Sequence, residues 1–221
     1  MTNYQQPTPS PQPLAPSPRL NEALDWLYSA GPGESATARA QVKLRQALSA
    51  AQAREVFYDL LPRSPIGPVL AAVNARGVIA VGFGITERAF VAAVQRKTGA
   101  VVARSPQKAA AALRQLREYL TGKRVAFDLP VDLSRQTEFQ QQVLFAAREI
   151  PRGEIATYTE IARRIGRPKA ARAVGQVLRQ NPVPIVIPCH RVLAADGSLR
   201  GYLGGGTKTK AWLLKLEGIA D

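Results

Sequence analysis

Pro188-Cys189-His190-Arg191-Val192 places the only cysteine and the only histidine of the 221-residue chain side by side. A thiol acts as a nucleophile in its thiolate form, and a nearby base or positive charge makes that form accessible. His190 and Arg191 supply one of each. The bland alternative for an isolated cysteine is a small buried hydrophobe beside a surface histidine. One cysteine cannot close an internal disulfide, which fits a reducing compartment. Two Cys/His ligands are too few for a tetrahedral zinc site, so neither a metal nor another cofactor is expected.

The surroundings favour chemistry on a polyanion. The net charge is +14 and the isoelectric point about 10.6, a balance that points to nucleic acid. From Ile161 to Gln180 there are six basic residues, Arg163, Arg164, Arg167, Lys169, Arg172 and Arg179, and no acidic one. A solvated basic face would give the same pattern, and charge alone does not separate the two. No apolar run reaches the roughly 18 residues of a membrane-spanning helix. The N-terminus lacks the basic-then-apolar pattern of a secretory signal. A monomer in the cytoplasm, or associated with the nucleoid, is the expectation.

These residues need elements to hold them. Residues 1–19, with prolines at 7, 9, 11, 13, 16 and 18, have a composition that cannot bury a core and predict a disordered or polyproline-like tail. Residues 20–53 predict two helices, the first on Leu20, Ala23, Leu24 and Leu27 and the second from Ala36 to Ala53. Val56–Leu60, Val69–Val73 and Val78–Phe83 are short apolar runs between turn signals and predict antiparallel strands. Helices are predicted over 86–97 and 106–121, with a brief apolar segment at 101–103 between them and a return to strand at Val125–Leu129. Residues 54–130 thus make a small α/β unit, and Pro130–Arg135 a linker to a mainly helical unit over 136–221. There, Phe139, Val143, Leu144 and Ala147 line one helix face. Thr157 and Glu160 have capping-box spacing, opening a helix that closes at Gly166. Pro168 suits the first turn of the next helix, which runs to Asn181-Pro182. Two short helices joined in this way form a helix-turn-helix candidate. The second carries Ala170, Ala171, Ala173 and Gly175, small residues that let a backbone approach a partner; a packed core helix explains the alanines equally well, but not the arginines among them.

The ordered set of motifs resembles the 6-O-alkylguanine-DNA alkyltransferases, the methylated-DNA–protein-cysteine methyltransferases. It comprises Ser64-Pro-Ile-Gly-Pro-Val69, Thr137-Glu-Phe-Gln140, Ile150-Pro-Arg-Gly-Glu154, Tyr158, Ala170–Gly175, Asn181–Val192, Gly201-Tyr202 and Trp212–Gly218 with Glu217. The resemblance spans the chain from about residue 55 onward and leaves residues 1–53 outside. It implies an α+β protein in which a small ribonuclease H-like sheet domain precedes a winged-helix-like DNA-binding domain. The implied reaction flips an alkylated guanine out of double-stranded DNA and moves the alkyl group irreversibly onto the protein's own cysteine, with 4-O-alkylthymine as a second candidate substrate. Once sulfur carries the alkyl group, the thioether gives water nothing to hydrolyse, so each molecule acts once.

By the same resemblance Cys189 is nucleophile and acceptor, His190 its base and Glu217 the residue that orients His190. If 188–192 is extended, Cys189 and His190 point to opposite faces, and a water must join them. The resemblance further implies that Tyr158 donates to the flipped guanine, Arg172 fills the vacated stack and Asn181 supports the turn before the active-site segment. An amphipathic tyrosine, a phosphate contact and a plain helix cap are the ordinary readings of those three. The Cys189 and Val192 carbonyls would accept from the guanine amino group, and Ala170, Ala171 and Arg179 would lie on the DNA. Leu203 follows Tyr202 where some members carry serine, leaving only backbone N–H groups there for the guanine oxygen. The glycine run 204–206 leaves Lys208 and Lys210 as rival candidates for the loop's lysine. Two other classes stand beside the transferase. A damage-recognition protein without chemistry is disfavoured by Cys189, and a helix-turn-helix regulator leaves 181–218 unexplained.

Overall fold

The computed structural model describes residues 38–44, 55–199, 202 and 206–219. The chain divides into two units, Met1–Ala51 and Gln52–Asp221. Within the first, 38–44 is helical, inside the helix expected over 36–53. The proline-rich segment and the helix expected near Leu20 lie outside the described residues.

The second unit begins with a meander of β1 (Val56–Leu61), β2 (Val69–Asn74) and β3 (Gly77–Phe83). Helix α1 (Glu87–Thr98) then crosses over to β4 (Val102–Arg104), which pairs parallel to β1 and gives the sheet order β3-β2-β1-β4. Strand alternation sorts the core into two sets. Leu70 and Ala72 of β2 pack with Phe90 and Val94 of α1. Val69 and Ala71 face the other way, toward Leu113, Leu116 and Tyr119 of α2 (Pro106–Leu120). Ser105 caps α2 by accepting from Lys108 N, with Pro106 at the first helical position.

Residues 125–129 form no strand, contrary to the expectation. Their polar groups are met by side chains instead. Arg124 bonds Glu118, Asp128 and the Ala126 carbonyl, and Asp128 N donates to Gln115 Oε1. Pairing resumes one step later at the edge of β3, where Val78 N donates to Pro130 O at 2.9 Å and Asp132 N to Val78 O at 3.0 Å. Asn74 Nδ2 also donates to Asp132 at 2.7 Å. The linker expected at Pro130–Arg135 therefore runs as a strap docked on the sheet.

The helical half contains α3 (Glu138–Arg148), α4 (Tyr158–Arg164), α5 (Ala171–Arg179) and α6 (Gly206–Leu216). The expected capping box on Thr157 and Glu160 is present, and a second one joins Thr137 to Gln140. Helix α5 begins later than Pro168 predicts. Ala170 N donates to Arg167 O, so Pro168 sits inside a tight turn that precedes the helix. Two short strands, β5 (Ala156–Thr157) and β6 (Val192–Leu193), pair in parallel. This small ladder fixes Tyr158, which follows β5, beside the segment that ends at Val192. One buried cluster runs through both halves, from Phe83 and Leu116 to Val143, Ile187, Cys189 and Leu213.

The strap depends on Gly77. Its φ of +137° suits glycine, and a Cβ there would lie 2.2 Å from Pro130 O. Gly77→Ala should lower stability by about 2–3 kcal/mol through backbone strain and displacement of the strap, measured as a fall in the chemical denaturation midpoint. An unchanged midpoint would show that the strap does not bear on the fold.

Candidate active site

The segment from Asn181 to Val192 is held against its own conformational preference. Ile185 is buried and has a φ of +76°, a region a β-branched residue enters only under constraint. Asn181 provides the constraint. Its Oδ1 accepts from Val183 N at 3.0 Å, while Nδ2 donates to Ile187 O at 2.9 Å and reaches Cys189 Sγ at 3.1 Å. From the sheet half, Val81 N donates to Pro182 O at 2.9 Å. The chain then leaves Pro188 into a 3-10 turn over Cys189–Arg191.

That turn corrects the extended geometry expected for Cys189 and His190, although no hydrogen bond joins their side chains. His190 is fully buried, and its Nε2 lies 2.6 Å from Glu217 Oε1. Glu217 also accepts from Arg191 Nε at 2.8 Å and Nη2 at 3.2 Å, and from the Tyr119 hydroxyl. Arg191 is further tied to the Ile150 carbonyl. Burial opposes charge on Glu217, but the bonds from His190 and Arg191 outweigh it and hold the carboxyl down to about 2. An ionised Glu217 can only accept, so His190 donates from Nε2. The Nδ1 lone pair, buried without a hydrogen-bond partner among the described residues, is left as the basic site. Burial, with help from Arg191 and Lys210, outweighs Glu217 and keeps His190 below its ordinary value.

Cys189 is buried, and burial pushes its thiol up to about 11 despite lowering contributions from Asn181 and Lys210. At neutral pH it is a thiol. Reaction therefore requires a base acting during attack rather than a standing thiolate. The two lysines left open by the glycine run differ in their surroundings, and Lys210 is the one that faces the site. Its side chain is buried, its Nζ donates to Val192 O at 2.6 Å, and burial lowers it to about 8, whereas Lys208 is exposed. The Tyr202 ring stacks on Phe83 of β3 with centroids 5.8 Å apart and meets His190 edge-on at 6.2 Å.

A cavity of about 600 Å³ opens onto Cys189 and is lined by Tyr158, Arg172, Gly175, Tyr202 and Lys210. Ala171 and Arg179 also line it. Ala170 serves as the N-cap residue of α5, and the Val192 carbonyl is already engaged by Lys210. Leu203 lies outside the described residues. Arg163, Arg164, Arg167, Lys169, Arg172 and Arg179 are all exposed, as a solvated face or a polyanion-binding face requires. Tyr119, Phe83 and the pairing of Arg191 with Glu217 are what the sequence did not reveal. The one available signal was a tyrosine at helical spacing among Leu113, Leu116 and Leu120, whose hydroxyl needs a partner once buried.

Asn181→Ala removes three contacts at once and leaves the Val183 N–H unmet, while the Ile187 carbonyl keeps only its bond from Cys189 N. A loss of about 2–4 kcal/mol is expected, together with slower alkylation of Cys189 by iodoacetamide at fixed pH. Unfolding that matches the unsubstituted chain would mean the loop holds its shape without this residue.

Comparison with known proteins places the whole second unit. Residues 56–133 match the ribonuclease-like domain of 6-O-methylguanine DNA methyltransferase, and residues 138–219 match its DNA-binding domain. The methylated-DNA–protein-cysteine methyltransferase of Methanosarcina barkeri is 41% identical over 162 residues, covering 73% of this chain and 97% of that protein. The enzyme of the same name from Mycobacterium tuberculosis H37Rv is 42% identical over 154 residues, covering 70% and 88%. The crystal structure of M. tuberculosis O6-methylguanine methyltransferase superposes with a TM-score of 0.63 at 39% identity, over 73% of this chain and 92% of that one. The M. tuberculosis OGT structure in complex with DNA gives 0.62 at 38%, over 75% and 94%. The chain belongs to the 6-O-methylguanine DNA methyltransferase family.

Proposed function

We propose that this protein repairs DNA by moving the alkyl group of 6-O-alkylguanine onto Cys189, once per molecule, after the damaged base has been flipped from the duplex. The observation that carries this reading is a buried thiol opening on a cavity with Tyr158 and Arg172, next to a buried histidine whose Nε2 is bonded to Glu217. Relatives across the whole unit carry the name of this activity, and a similar protein has been solved in complex with DNA. Among the described residues no helix is long and apolar enough to cross a membrane. A cytoplasmic or nucleoid location and a monomeric state complete the proposal.

The chemistry balances on the residues present. The Cys189 sulfur attacks the alkyl carbon as its proton passes to His190 Nδ1 through a water. The carbon–oxygen bond breaks, and its electrons return to the guanine ring. Tyr158 donates a proton to the leaving base and is reprotonated from the imidazolium through solvent. The products are a thioether and ordinary guanine. Proton transfer of this kind contributes about 10²–10⁴ in rate. Base extrusion costs a few kcal/mol, least for a badly paired base. Arg172, exposed at the cavity rim, fills the gap in the stack. Ala170, Ala171 and Arg179 approach the DNA backbone. The Val192 carbonyl can serve the guanine amino group only by sharing its lone pairs with Lys210.

Incubation with a duplex holding one 6-O-methylguanine, followed by intact-mass measurement and peptide mapping, tests the proposal. One methyl group should appear on Cys189, with guanine restored and no turnover beyond one equivalent. Cys189→Ala should abolish transfer while keeping damaged-DNA binding. Tight binding with unchanged mass would move the protein to the damage-sensing class.

Arg172→Ala should slow repair in duplex about tenfold or more while sparing reaction with the free modified base, since only the former needs flipping. Equal slowing in single-turnover kinetics on both substrates would remove the stack-filling role.

A further inference from the structure

We propose that Tyr119, carried by α2 in the sheet half, is a positioning residue for the transfer chemistry: its hydroxyl holds and partly neutralises the Glu217 oxygen that faces His190, and so sets how readily His190 takes a proton. The proposal rests on the transferase reading above. Tyr119 lies 98 positions from Glu217 and is fully buried. Its ring is an ordinary core element, with Phe127 at a centroid distance of 4.8 Å and the Arg152 guanidinium 5.5 Å from its centroid. A phenylalanine would satisfy both contacts. The hydroxyl is what a core role leaves unexplained. It donates to Glu217 Oε1 and accepts from Arg191 Nη2 at 3.2 Å.

Glu217 Oε1 receives Tyr119, His190 and Arg191 Nη2, while Oε2 receives Arg191 Nε. A carboxylate so fully subscribed is a weaker acceptor for the His190 N–H than one serving histidine alone. The weaker it is, the less it favours the imidazolium, and the ring stays neutral with Nδ1 free to act as base. Arg191 on the same turn and Lys210 on α6 oppose the imidazolium in the same sense, and Glu217 itself favours it. The uncharged Cys189 thiol and the edge of the Tyr202 ring complete the surroundings. Tyr119 is the one donor in this set that comes from the sheet half, which gives that half a part in the reaction.

The chain has a single histidine, so untagged protein yields one imidazole signal whose NMR titration reads His190 directly. Tyr119→Phe should raise its midpoint by about one pH unit. Methyl transfer should slow by up to about tenfold on the acid side and recover above pH 8, with damaged-DNA affinity unchanged. Replacing Tyr119 with 3-fluorotyrosine, a stronger donor of nearly the same shape, should move the midpoint down, and this covers the case in which the phenylalanine variant fails to fold. Folded variants with an unmoved histidine titration and an unmoved pH–rate profile would overturn the proposal and leave Tyr119 a packing residue. Absence of any transfer by the unsubstituted protein would instead overturn the transferase reading, and the titration of the free protein would still decide what the hydroxyl does.

Discussion

A buried carboxylate governs this molecule. Glu217 is ionised in a site with little access to water, and a charge in such a place needs full compensation from donors that cannot leave. Those donors come from two distant parts of the chain, Tyr119 in α2 and His190 with Arg191 in the turn, and Glu217 itself, just beyond α6, is a third. Removing Arg191 would leave the charge without its cation. The donors' common demand on Glu217 locks the active-site turn against both the sheet half and the last helix. The reactive geometry and the tertiary structure are thus the same set of bonds.

The turn also carries strain that its surroundings must hold. An isoleucine at φ +76° costs on the order of 1–3 kcal/mol. Asn181 offsets this with bonds to Val183, Ile187 and Cys189, and the Val81–Pro182 bond adds an anchor from β3. The apolar residues Val183, Ile185, Val186 and Ile187, all buried, give the segment its packing energy. Pro182, Pro184 and Pro188 reduce the freedom of the unfolded segment, so less entropy is lost in ordering it. Together these hold Cys189 where an unconstrained loop would let it wander.

Elements with strong local signals were legible in the sequence. Strands β1 to β3 followed apolar runs cut by Pro-Ile-Gly-Pro and Asn-Ala-Arg-Gly, and the capping box at Thr157 marked the start of α4. Residues 125–129 failed because strand propensity does not supply a pairing partner; Gln115 and Arg124 took their polar groups first. Pro168 failed because proline suits the second position of a turn as well as the first turn of a helix. Helix α6 was hidden because it opens on a glycine, a residue of poor helix propensity. In the site, adjacency named Cys189 and His190, and the resemblance named Glu217. Tyr119 was named by neither, and Lys210 only as one of two rivals. Their contacts cross between elements, and nothing in local spacing announces a hydroxyl 98 positions from its acceptor.

A nucleophile spent in one reaction has to be guarded until its substrate arrives. Burial does this here by raising the Cys189 thiol to about 11, which makes adventitious alkylation or oxidation slow at neutral pH. The same burial would make a poor enzyme unless activation came with the substrate. Burial and neighbouring cations hold His190 below its ordinary value, so in the proposed reaction its Nδ1 takes the proton as the sulfur attacks, without a thiolate having existed beforehand. In that proposed step Glu217 stabilises the imidazolium for the moment it exists. Protection and reactivity therefore rest on one arrangement: low solvent access suppresses the free thiolate, and a single oriented base restores nucleophilicity only along the path of transfer.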